Sequence, residues 1–249
     1  MNEVVRGARA ITPAEDIASR VNARAWARVS QDLDAQAYAI IEGLITREEC
    51  HALAALYPMD DLFRSRVVMA RYGFGRDEYK YFSYPLPDIV AGLRTAMYPR
   101  LVPIANRWNA AMSINVRYPE RHADYVALCH AAAQLRPTPL LLAYVAGDYN
   151  CLHQDLYGER VFPLQVTILL SKPGRDFTGG EFVLTEQRPR MQSRAEVVLL
   201  NQGDAVIFPV HQRPVKGTRG FYRVNMHHGI SCIRSGHRHT LGIIFHDAT

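Results

Sequence analysis

His153 and Asp155 place an imidazole and a carboxylate two residues apart, and the pair His227–His228 follows far downstream, ahead of Arg238. Two imidazoles and one carboxylate form a facial triad, which leaves positions on a ferrous ion open for a bidentate oxo-acid and dioxygen. Residues two apart on a strand address the same face, so His153 and Asp155 can hold one ion at the mouth of a barrel. The second histidine must then come from a distant strand. Adjacent strand residues face opposite ways, so only one of His227 and His228 points inward. A lone His-x-Asp is more often a core histidine beside a turn aspartate; the rest of the constellation reverses that weighting. Arg238 opens the apolar run HTLGIIF, where a guanidinium has little reason to sit unless it meets an anion, and its planar fork suits a carboxylate. Thr240, two residues on, shares its face and offers a hydroxyl to the same group.

The elements that must carry these residues change character along the chain. From about Leu140 the runs LLLAYVAG, VFPLQVTILL, GGEFVLTE, AEVVLLNQGDAVIFPV, FYRVNMHHGIS and HTLGIIFHD alternate with turn signals and read as strands. No crossover-length helix separates them, which favours an antiparallel sandwich or jelly roll over a parallel sheet. The earlier part reads as mainly helical. Thr12, Pro13 and Glu15 suggest a helix start, followed by Ile17, Val21, Ala25 and Val29 at helical spacing. Thr46 and Glu49 repeat the cap before a short helix that Pro58 ends, and further helical patterns cover roughly 88–98 and 120–134. The expected fold is α+β: one domain over 1–249, with 1–135 as helical support and substrate lid and 136–249 as the β core.

The bulk numbers bound this reading loosely. A chain of 249 residues with 48% hydrophobic content can build a sizeable core. No apolar run reaches the roughly 20 residues of a membrane span, and the start lacks the apolar centre of a signal peptide, so the expectation is a soluble, cytoplasmic protein. Cys50, Cys129, Cys151 and Cys232 are widely separated and read as reduced thiols. A net charge of +5 suits a polyanionic partner without requiring one.

Taken together, these segments resemble the iron and 2-oxoglutarate dependent dioxygenases, whose double-stranded β-helix carries His-x-Asp, a distal His and an Arg on the last strand. GGEFVLTE, the GDAVIF turn and the ten-residue step from His228 to Arg238 are similar to the prolyl-hydroxylase-like members. HQDLYGE, GGEFVLTEQRPRMQSR and GHRHTLGIIFHD resemble a bacterial family of nucleic-acid-modifying oxygenases over nearly the whole chain. The resemblance implies iron at His153, Asp155 and His228, with His228 preferred over His227 because the following GIS and the spacing to Arg238 fit the family pattern. It implies 2-oxoglutarate at Arg238, with Tyr144 and Thr240 beside it, and dioxygen as co-substrate. Tyr144 stands nine residues before His153, as a tyrosine does in AlkB-type DNA demethylases. Leu142 and Ile244 depart from the asparagine and second arginine of those enzymes, which makes the end of the site more like a prolyl hydroxylase. Asp155 argues against halogenation, where a small residue replaces the carboxylate.

A substrate surface suggests itself in 64–85, where Arg64, Arg66, Arg71, Arg76 and Lys80 interleave with Tyr72, Phe74, Tyr79, Tyr81, Phe82 and Tyr84. Cations track phosphates and aromatic faces stack bases; a packed hairpin with buried aromatics is the competing reading. Arg188, Arg190 and Arg194, then Arg213, Lys216, Arg219 and Arg223, form two further basic clusters that fit a cationic groove or a set of ion pairs. Tyr157, Glu159 and Gln165 follow the metal motif within reach of substrate or co-substrate. The substrate candidates are Arg71, Tyr79, Tyr81, Tyr157, Arg188 and Arg190. The sequence therefore points to an oxygenase acting on alkylated DNA, with no obligate protein partner, then to a protein hydroxylase, and last to a cupin-like binding module without turnover.

Overall fold

The computed structural model describes residues 14–69 and 78–249, so the Thr12 cap and the segment holding Arg71, Tyr72, Phe74 and Arg76 lie outside the described residues. Helices α1 (Ala14–Asn22) and α2 (Trp26–Gln36) lead into strand β1 (Ala39–Ile41) and helix α3 (Arg47–Ala54). The spacing of Ile17, Val21, Ala25 and Val29 predicts one helix, but the chain breaks ahead of Trp26, whose indole N–H donates to Val21 O at 2.8 Å. Thr46 and Glu49 form the expected capping box at the start of α3. Glu49 also receives two hydrogen bonds from Arg20, tying α3 to α1.

Strands β2 (Phe63–Val68) and β3 (Glu78–Phe82) precede α4 (Asp88–Ala111) and α5 (His122–Ala131). A proline normally ends a helix because it removes a backbone donor, yet α4 runs on through Pro99 and Pro103. Leu93, Met97, Leu101, Ile104 and Trp108 are all buried along it, and burial of that apolar surface outweighs the lost hydrogen bonds. No helix among the described residues is long and apolar enough to cross a membrane.

The remaining strands are β4 (Leu140–Val145), β5 (Asn150–His153), β6 (Leu164–Leu169), β7 (Phe177–Gly179) and β8 (Phe182–Gln187). They are followed by β9 (Arg194–Val198), β10 (Ala205–Pro209), β11 (Gln212–Gly217), β12 (Gly220–Ile230) and β13 (Ile233–Ile243). One sheet has the order β1-β10-β6-β13-β4-β3-β2, with β7 on β13, and the other has β11-β12-β8-β9, with β5 on β12. The paired strands are antiparallel, and the chain crosses between the sheets at β4–β5–β6, β9–β10–β11 and β12–β13, as in a jelly roll. The helices cover the outer face of the larger sheet over a core that includes Trp108, Leu141, Phe162 and Phe245. A second core of Tyr144, Phe177, Phe182, Phe208 and Ile233 fills the space between the sheets. The helical reading of 1–135 overlooks β1, β2 and β3, which extend the larger sheet at both edges.

Candidate metal centre

Strand pairing brings two distant histidines together, for β5 lies on β12 with His153 directly opposite His228. Gly229 permits this approach, since a Cβ there would stand 2.6 Å from Asn150 O. Asp155 lies two residues beyond the end of β5, in the following loop rather than on the strand that its spacing suggests. One donor atom from each of His153, Asp155 and His228 lies within 4.8 Å of the others. His153 Nε2 is 3.5 Å from Asp155 Oδ1, and His228 Nε2 is 3.3 Å from Oδ2. His227, one residue earlier, sits on the alternate face of β12 and is only partly buried.

The protonation states suit ligation. His153 Nδ1 is 2.8 Å from Cys151 O; a carbonyl only accepts, so Nδ1 carries the hydrogen and the Nε2 lone pair is left for the triad. Burial drives the His228 pKa down, which favours the neutral imidazole. Burial alone would raise Asp155, but the imidazoles of His153 and His228 beside it outweigh burial and hold the carboxyl well below its ordinary range.

Asp155 is gripped at both oxygens. Tyr157 donates its hydroxyl to Oδ1 at 2.5 Å, and Gln165 Nε2 donates to Oδ2 at 2.8 Å while lying 3.2 Å from His228 Nε2. Phe208 and Phe182 pack against the His228 ring at centroid distances of 4.7 and 6.0 Å. The sequence places Gln165 only within reach of substrate or co-substrate; the structure sets it against the metal ligands, and its signal is an amide within the apolar run LQVTIL.

Arg238 is 1% exposed, and its Nε and Nη1 have no hydrogen-bond partner. Its guanidinium carbon lies 5.2 Å from the Tyr144 ring centre and 5.7 Å from that of Phe177. A buried cation with idle donors is costly, and a carboxylate is its natural complement. Tyr144 and Thr240, both buried, line the cavity that holds the triad, together with Tyr79, Leu142, Tyr157, Gln165 and Ile244. Arg238 opens instead onto an adjoining hollow walled by Gly180, Glu181 and Leu200, and Phe182 borders both spaces. Gly180 packs against Ile233 and the arginine, because a Cβ there would run into Ile233 Cδ1 and stand 3.0 Å from Arg238 Cδ.

Three of the seven basic residues in the two downstream clusters are engaged within the fold. Glu186 takes hydrogen bonds from Arg188 at 2.7 Å and from Arg213 Nη2 at 2.5 Å, and Arg213 is buried. Arg223 donates to Met112 O. The expected groove is therefore reduced to Arg190, Arg194, Lys216 and Arg219, which are exposed. In the hairpin Arg66 pairs with Glu78, Lys80 with Asp60, and Arg64 donates to Pro137 O while lying over the Tyr81 ring. Tyr81 is buried behind Tyr157, with ring centres 6.1 Å apart, while Tyr79 lines the triad cavity. The described part of the segment is thus the packed hairpin rather than an open surface.

A family described as "Oxygenase, catalysing oxidative methylation of damaged DNA" matches residues 77–248. The chain belongs to this family, Oxygenase-NA. An uncharacterised protein of Mycobacterium tuberculosis is 49% identical over 181 residues, covering 72% of this chain and 78% of the relative. A Trichoplax adhaerens prolyl hydroxylase, solved in complex with a hypoxia inducible factor peptide, is 12% identical. Its TM-score is 0.58, and the match covers 93% of this chain and 92% of that one. A Burkholderia pseudomallei oxidoreductase of the 2OG-Fe(II) oxygenase family is 14% identical with a TM-score of 0.51, over 92% and 94% of the two chains. The Oxygenase-NA chain is an oxygenase on the fold of the 2OG-Fe(II) enzymes, and that fold with its His-Asp-His cluster implies Fe(II), 2-oxoglutarate and dioxygen. The residues fit those groups: two imidazoles and a carboxylate converge on one point, and a buried guanidinium with idle donors lies nearby.

Proposed function

We propose that this Oxygenase-NA enzyme uses Fe(II) and 2-oxoglutarate to demethylate alkylated DNA bases. His153, Asp155 and His228 would hold the iron, and Arg238 would bind the distal carboxylate of 2-oxoglutarate with Tyr144 and Thr240 beside it. The observation that carries the oxygenase reading is the buried guanidinium of Arg238, its Nε and Nη1 without partners, next to the triad's chamber. When bound, the iron supplies oxidising power by which 2-oxoglutarate and dioxygen yield succinate, carbon dioxide and one oxygen atom for the substrate. Insertion of that atom into an N-methyl C–H bond gives a hydroxymethyl group, which leaves as formaldehyde and returns the hydrogen to nitrogen. Oxidation of this kind removes the methyl group, so the family's chemistry on damaged DNA is read as demethylation.

The protein's own part is binding, orientation and exclusion of water. Tyr157 and Gln165 orient Asp155, while Phe182 and Phe208 dry the His228 side. Tyr79, Leu142 and Ile244 give the chamber apolar and aromatic walls suited to a flipped base. Exposed Arg190 and Arg194 supply phosphate contacts at the rim. Leu142 and Ile244, where AlkB-type enzymes have polar groups, favour a second reading as a protein side-chain hydroxylase.

Mass spectrometry on single- and double-stranded oligonucleotides carrying different alkyl lesions tests the choice, with Fe(II), 2-oxoglutarate and a His153→Ala control. Lesion loss that requires His153 and 2-oxoglutarate, with affinity falling steeply with salt, is the expected result. Succinate formation that leaves every oligonucleotide unchanged would move the hydroxylase reading to first place.

A further inference from the structure

We propose that Gln165 is a fourth, exchangeable protein ligand of the metal centre, its amide oxygen turning onto the bound ion and yielding its position to the oxo-acid. The inference rests on the reading of His153, Asp155 and His228 as the metal site. Gln165 stands on β6, 4% exposed, with Nε2 2.8 Å from Asp155 Oδ2 and 3.2 Å from His228 Nε2. In the metal-free protein Asp155 Oδ2 and His228 Nε2 stand 3.3 Å apart, and the Gln165 carboxamide lies within hydrogen-bonding distance of both.

Its other end has no role in that state. Gln165 Oε1 is buried without a hydrogen-bond partner, a condition native interiors rarely leave unexplained. With a divalent ion held by His228 and Asp155, the N–H groups of Gln165 would face a positive charge. Half a turn about the Cγ–Cδ bond exchanges Nε2 and Oε1 and brings the idle oxygen to the ion without backbone movement. Carbonyl oxygen is a suitable donor to divalent first-row metals, and a bidentate oxo-acid anion outcompetes one neutral oxygen.

Cobalt(II) added to the metal-free protein in the absence of oxo-acid tests this, read by titration calorimetry and by the visible spectrum of the bound ion. Gln165→Leu is expected to bind cobalt at least about tenfold more weakly than wild type, with an altered spectrum. The two spectra should converge when 2-oxoglutarate is added, because the exchangeable ligand has then left. Gln165→Glu keeps an oxygen donor and is expected to restore binding to wild-type strength or beyond; thermal melting of each metal-free variant reports its folding. Equal or tighter binding by Gln165→Leu, or unchanged spectra before 2-oxoglutarate, overturns the proposal and leaves the amide as a filler that metal expels. Cobalt binding that survives His153→Ala at full strength would place the ion elsewhere and overturn the metal-site reading itself.

Discussion

The hydroxyl of Tyr157 donates to Asp155 Oδ1 over 2.5 Å, so one oxygen of the triad's carboxylate is fixed by a side chain packed edge-on against Tyr81. Burial, then the charge of Asp155, holds the Tyr157 pKa well above its ordinary value and keeps it a donor at neutral pH. Tyr157→Phe deletes only that hydroxyl. Titration calorimetry with manganese(II) should show metal affinity reduced about 10–100-fold, the usual range for removing a group that orients a ligand. Unchanged affinity would show that Asp155 does not depend on this bond.

Arg238→Met should move two quantities in opposite directions. Removing a charged partner from a buried hydrogen-bonded pair costs about 2–5 kcal/mol, so 2-oxoglutarate should bind at least about thirtyfold more weakly. The same change relieves the metal-free protein of a buried cation with idle donors, and its melting temperature should rise. A fall in both would mean that the guanidinium serves the fold rather than the co-substrate.

Glu186→Ala should weaken the fold itself. Glu186 and Arg213 are a buried pair, and truncating one partner of such a pair costs about 3–5 kcal/mol. Urea unfolding measures the loss directly. Arg190→Ala, at an exposed rim position, should leave stability unchanged while weakening binding to DNA and making it less sensitive to salt.

Stability should fall as the medium becomes acidic, through two histidines buried near Arg94. Burial first, and the charge of Arg94 next, take His122 and His246 from 6.5 to about 4. Between those values the unfolded chain binds protons that the folded protein refuses, so the free energy of unfolding decreases as pH falls through the window and levels below it. Each group accounts for about 3 kcal/mol over that range. Denaturant titrations from pH 7.5 to 4 should follow this slope, and His122→Gln should remove about half of it; a flat profile would contradict the burial argument.

Strands β4, β6, β8, β9, β10, β12 and β13 were legible as short runs closed by turn residues, whereas β5, β7 and β11 carry no such run; the triad was legible because metal ligation restricts residue type and spacing. What eluded the sequence was decided by tertiary packing. Pro99 and Pro103 signal a helix end that burial of Leu101 and Trp108 overrides. Arg188, Arg213 and Arg223 look like a cationic face because the acceptors that engage two of them, Glu186 across a strand pair and Met112 O on another element, are invisible in local sequence. Gln165 carries no motif, and its approach to Asp155 and His228 follows only from the crossing of β6 past β12.

Strand β12 is also a measuring rod. Arg223, which borders the same hollow as Arg190, precedes His228 by five residues on one continuous strand, a separation of about 17 Å at roughly 3.4 Å per residue. Along the axis of duplex DNA one strand rises about 3.4 Å per nucleotide. On the proposed reading, a duplex lying along β12 with a base at the metal would bring a phosphate about five nucleotides away under Arg190. Oligonucleotides extended step by step on one side of a lesion should gain affinity up to about that length and no further, which gives the enzyme a footprint with a handedness set by its own fold.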